Sequence, residues 1–284
     1  VSHALQELGL TKTALAPLPV IFLLGVTGIC LRLRRQPLSA VGLRLDAAWL
    51  RQSLGGIAFG AVQMLAVAAL MLLAGGVRFE VDPAGGIAAL AQGAWFFVWA
   101  VLIEELLFRG FLFQRLVDGI GATPALLLAA VLFAAAHLGN PGMDGSSLLL
   151  ATLDTALGAV LLGLAWLRTG SLALPIGMHF GWNWAQGSLL GFDVSALRQA
   201  GSLHPQLLAP PQWLSGVAFG PEASILAVVV AWAAVAAVGL LASAQVQAGF
   251  GYAMTWFLLL GGVRPVLELQ TRRPHGQGQG SDAD

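Results

Sequence analysis

Glu104 and Glu105 stand side by side in the apolar run 94–113, AWFFVWAVLIEELLFRGFLF, with Arg109 four residues after the second. A charged side chain at bilayer depth costs roughly 2.5–3.5 kcal/mol on insertion scales, so such residues default to a functional reading. On a helix, Glu105 and Arg109 share a face in the favourable acid-first order for an ion pair. Glu104 lies about 100° away round the axis. One carboxylate is then neutralised while the other stays free to act on substrate or water. Desolvation raises the pKa of such a free carboxylate toward the range useful to a general base. The competing structural reading is a buried ionic staple of all three residues.

Two further polar pieces follow in apolar runs. Phe133-Ala-Ala-Ala-His137 ends the next run, and His179-Phe-Gly-Trp-Asn183 lies two runs later. Histidine and asparagine four apart aim at one point, and together they can donate two hydrogen bonds to an oxyanion, as amide hydrolysis requires. They could equally be polar glue between helices. Asp154 sits in the middle of LLLATLDTALGAVLLGLAWL. It could orient His137 or His179 as an outer-shell acceptor, or be a protonated side chain bonded to a neighbouring helix.

The elements that must position these groups are membrane helices. Hydrophobic residues make up 57% of the 284 and charged residues 10%, with a mean hydropathy of +0.81, far from the roughly 25% charged of a soluble domain. The net charge of zero gives no reason to expect nucleic acid. Cys30 is the single cysteine, which excludes a disulfide framework within the chain. The polar stretch 2–13 is no basic n-region, so no cleaved signal peptide is expected. Spans of about 20 apolar residues are expected near 14–31, 53–76, 87–107, 123–139, 148–167, 171–190, 223–242 and 247–263, the last the weakest. The fold expected is an all-α, polytopic bundle of about eight transmembrane helices. It forms one membrane domain over 1–270, with its catalytic core at about 87–190 and a disordered, glycine-rich tail at 271–284.

Arg32, Arg34, Arg35, Arg44 and Arg51 crowd the first loop and mark it as cytoplasmic. Arg115 and Arg168 then fall at cytoplasmic turns, and 191–222 lies outside; Arg264, Arg272 and Arg273 dissent. The glycine-rich turn 118–124 reads as a hairpin. Glu104 and His137 lie 16 and 17 residues from position 120, which on straight antiparallel helices is the same depth, roughly 24 Å from the turn. Pro175 suits the first turn of a helix, so 169–174 is expected to be non-helical. Trp95, Trp99, Trp166, Trp182 and Trp184 read as interface anchors and packing.

The ordered set EExxxR, FxxxH and HxxxN, complete here across 95–190, resembles the CPBP family: the CAAX proteases and bacteriocin-processing enzymes, also called Abi. The resemblance implies a glutamic-type intramembrane endopeptidase without cofactor. By that likeness Glu104 and His137 hold and activate the hydrolytic water. His179 and Asn183 stabilise the tetrahedral oxyanion, and Glu105 with Arg109 fixes the helix or binds substrate. Asp154 lies outside every family motif. Family substrates are prenylated CAAX tails, bacteriocin leaders, anti-sigma factors or C-terminal sorting tails, and no motif chooses among them.

Three other readings compete. Glu104, His137 and His179 are a sound zinc ligand set, though no HExxH is present and Asn183 is a poor ligand. A proton-coupled transporter could use the same residues as a relay, but inverted repeats are not evident. A non-catalytic scaffold would have no need of every filled motif position. The partners expected are the lipid bilayer and a membrane-associated protein or peptide substrate. The location expected is the cell membrane, multi-pass, with the site nearer the extracytoplasmic side, which suits exported substrates better than cytosolic tails.

Overall fold

A computed structural model of the chain describes residues 15–240 except 84, 199, 209 and 210. Within them the apolar runs fold as helices, the structure in which a chain without water partners satisfies its backbone polar groups internally. They are α1 (Leu18–Leu33), α2 (Ala47–Leu73), α3 (Ile87–Phe108), α4 (Phe111–Ile120), α5 (Ala122–His137), α6 (Gly145–Thr169), α7 (Ala173–Trp184) and α8 (Ile225–Leu240). The all-α expectation holds, with one addition. The segments Val77–Val81 (β1) and Leu203–Leu207 (β2), read from sequence as loops, pair as a two-stranded antiparallel ribbon.

Helices α2 and α6 are long and apolar enough to cross a membrane, whereas α1, α5 and α8 are apolar but shorter. Phe22, Val62 and Val131 are 60–70% exposed on the outer faces, while Glu105 and Arg109 are fully enclosed. Soluble domains distribute such residues the other way round. The expected last span, 247–263, and the tail 271–284 lie outside the described residues.

The hairpin turns at Gly121, whose φ of +88° suits glycine. Its first arm, however, is two helices. Helix α3 stops at Phe108, and α4 restarts at Phe111 and packs on α5. At the break, a Cβ on Gly110 would run into the Leu106 carbonyl, so only glycine fits. The straight-rod depth of 24 Å therefore does not apply to this arm. The non-helical stretch before α7 is likewise shorter than expected: α6 runs to Thr169, ends on the left-handed Gly170, and α7 resumes at Ala173.

The tightest packing is between α2 and α7, which run parallel. Gly56 and Gly60 on one face Gly177 and Gly181 on the other. A Cβ at Gly60 would overlap the Met178 carbonyl, and one at Gly177 or Gly181 would overlap the carbonyl of Ser53 or Ile57. Two glycines four apart on each helix thus let the backbones touch. Nearby, Gln114 Nε2 donates to the Val41 carbonyl at 3.1 Å and Leu172 N–H to the Gly42 carbonyl at 3.1 Å. These bonds tie the arginine-rich first loop, the α3–α4 break and the α6–α7 turn into one end of the bundle.

Candidate active site

Glu105 is the hub. It is completely buried, and its Oε1 accepts from Arg109 Nη1 at 3.1 Å and from His179 Nδ1 at 2.8 Å. The four-residue spacing within α3 makes the first contact and the α2–α7 packing delivers the second. Arg109 Nη2 also donates to the Ala159 carbonyl at 3.2 Å, which fastens α6 to the same point. The guanidinium lies 4.6 Å from the centroid of the Phe133 ring, a favourable cation–π distance in a desolvated setting.

Phe133 joins the three motifs. Its ring centroid stands 4.7 Å from that of His137 and 6.3 Å from that of His179. Its carbonyl accepts from His137 Nδ1 at 2.8 Å. A carbonyl can only accept, so Nδ1 carries the proton and His137 Nε2 is left with a lone pair. The four-residue spacing of FxxxH produces this tautomer within one helix.

His179 is arranged similarly. With Nδ1 on Glu105, its Nε2 faces Glu104 Oε2 at 3.7 Å, too long for a hydrogen bond. Glu104 is the more accessible acid, its side chain 32% exposed against 0% for Glu105. The two adjacent carboxylates therefore differ in setting: Glu105 is enclosed between Arg109 and His179, and Glu104 is part-exposed with a longer ion-pair contact to His179.

Two cavities meet at this point. The inner one has room for about 110 Å³ and the outer one for about 290 Å³, and both are lined by Glu104, His137, Asn183 and Ser195. The outer cavity is a groove between α3 and α5, walled by Phe96, Phe97, Ala100, Phe108, Ala136 and Leu197. The inner one continues past His179 toward Asp154 and Glu222. All four residues read as catalytic from sequence thus line one space, with Glu105 and Arg109 directly behind it. Asp154 is brought there too, but not as an orienting acceptor: Phe133 and Glu105 hold the two histidines, and Asp154 Oδ1 has no hydrogen-bond partner. Trp182, read as packing, lines the inner cavity.

The sequence reading missed Glu222 and Ser195. Both belong to the segment after α7, which folds back over the site. A π-helical turn at Ala185–Leu189 ends α7, a feature common at functional sites. Ser195 and Ala196 take positive φ values of 48° and 66°. The strained backbone is held from the far side: Ser195 N–H donates to Glu222 Oε2 at 2.7 Å, and Ala196 N–H to the Phe219 carbonyl at 2.9 Å. Burial pushes the Glu222 carboxyl up to about 7, against the Ser195 N–H that holds it down. A signal existed in the sequence, since Glu222 directly precedes an apolar run, but long-range folding of a loop leaves no periodicity to read.

Comparison with known families agrees with the motifs. Residues 86–185 match the family of the type II CAAX prenyl endopeptidase Rce1-like proteins, in keeping with the CPBP resemblance. Residues 222–284 match a second family, Peptidase M50B-like, largely outside the described residues. No curated protein and no solved structure matches the chain.

Proposed function

We propose that this chain, whose residues 86–185 belong with the Rce1-like type II CAAX prenyl endopeptidases, is a multi-pass intramembrane peptidase acting on membrane-associated proteins or peptides. The observation that carries the proposal is the division of labour between the glutamates. Glu105 is fixed by Arg109 and His179, while Glu104 faces the cavity shared with His137 and Asn183.

In this mechanism a water in the cavity lies between Glu104 and His137 Nε2. Either can take its proton as the oxygen attacks the scissile carbonyl. The oxyanion that forms is met by the Asn183 amide and by His179 Nε2. Donation from Nε2 requires the doubly protonated ring, which Glu105 at Nδ1, shared with Arg109, and Glu104 at 3.7 Å from Nε2 together stabilise, as a buried acid does for a triad histidine. The proton then passes to the leaving amine and the tetrahedral centre collapses. The apolar groove between α3 and α5 suits an extended apolar segment entering from lipid.

A metal-independent reaction is the favoured version. Among the described residues no three of the histidine, cysteine, aspartate and glutamate side chains converge as a metal site; the Nδ1 bonds of His137 and His179 leave Nε2 open and suit either version. Purified protein in detergent should keep its peptidase activity through prolonged treatment with strong chelators and carry no stoichiometric zinc. Near-equimolar zinc, lost with activity and restored with it, would overturn this version and make Glu104, His137 and His179 its ligands.

A further inference from the structure

The inner cavity holds more acid than hydrolysis needs. Asp154 and Glu222 are each more than nine-tenths buried, and both line it beside Glu104. No lysine or arginine lines it, its only basic groups being His137 and His179, which the hydrolytic site uses, and Arg109 is already bound to Glu105 and Ala159. Asp154 Oδ1 and Gln63 Oε1 are buried acceptors without a donor, whereas Glu222 is held in place by Ser195 N–H. Buried acceptors left unpaired are costly, so the cavity is built for an occupant that brings donors and positive charge. Its other walls include Leu161, Leu162, Met178 and Ala231. Apolar walls leading to carboxyls match the apolar stem and charged head of a long basic side chain.

We infer that this inner cavity is a specificity pocket for a lysine or arginine of the substrate close to the scissile bond, with Asp154 and Glu222 receiving the charged head. The inference rests on the peptidase reading and narrows it. A proton relay would need the same acids but neither the room nor the apolar walls.

The test uses the full-length protein in detergent and a randomised peptide library, with cut sites mapped by mass spectrometry. Wild type should enrich lysine or arginine about tenfold or more at one fixed position from the cut, since removing a buried charge partner costs that much or more. Asp154→Asn and Glu222→Gln should each reduce this ratio to about threefold or less; the ratio is read within each variant, so overall rate does not enter. No basic enrichment in wild type, or enrichment kept by both variants, overturns the pocket. If wild type cuts nothing, the peptidase reading fails, and the pocket is judged by agmatine binding alone. Agmatine, but not uncharged butylurea, should then raise the melting temperature of wild type and not of Glu222→Gln. No shift, or the same shift in both proteins, overturns it.

Discussion

The two adjacent glutamates differ because one neighbour differs. Glu105 has a base four residues on and accepts from His179 at 2.8 Å; Glu104 has no base four residues on and meets His179 only at 3.7 Å, beyond hydrogen-bond reach. Glu105→Gln should therefore lower stability as well as activity. It strands a buried guanidinium and frees His179, at a cost of about 3 kcal/mol, read as a lower melting temperature in detergent. Retained stability would show that Arg109 finds another partner. Glu222 makes a different prediction. Its carboxyl keeps a proton up to about 7 when folded, against an ordinary value of 4.5. Between those values the folded state holds a proton that the unfolded chain has lost, so Glu222 makes stability fall as pH rises through that window and level off above it. Glu222→Gln should flatten that slope; an unchanged profile would mean that Glu222 does not set it.

At the scale of elements, the α2–α7 contact does the positioning. His179 lies between Gly177 and Gly181, both of which touch α2 backbone. Gly60→Leu should destabilise the protein by about 2 kcal/mol and move His179 and Asn183 off the site. Gly55→Ala, on the same helix but facing open space, should be neutral or slightly stabilising. Equal effects would mean that the contact is not the anchor. The helices were legible in the sequence because apolar runs bounded by Gly, Pro and Arg leave little alternative. The Glu105–Arg109 pair was legible because its spacing is local. The break at Arg109–Gly110 was not, since it depends on Arg109 turning inward to meet Glu105 and α6. Nor was the return of 191–224 over the site, which rests on Ser195 meeting Glu222, 27 residues apart.

Over the whole molecule, charge and packing agree on one end. The loop carrying Arg34, Arg35 and Arg44, with Arg51 in the first turns of α2, joins the α3–α4 break and the α6–α7 turn through Gln114 and Leu172. If the arginines hold that end in the cytoplasm, the loop after His137 is outside. With Cys30 changed to serine, Asp144→Cys should then react with a membrane-impermeant thiol reagent on intact cells or spheroplasts. Gly119→Cys should react only after lysis. Labelling the other way round would invert the protein and turn its site toward cytosolic substrates.

All of this presumes that the free carboxylate does the chemistry. The direct measurement compares protein termini, by mass spectrometry, in membranes exposed to wild type and to Glu104→Gln at equal abundance and equal melting temperature. Glutamine keeps size and polarity but cannot take the proton, so terminus formation should fall about a hundredfold or more. New termini appearing at the same rate with both proteins would contradict the assignment of Glu104 and the mechanism built on it.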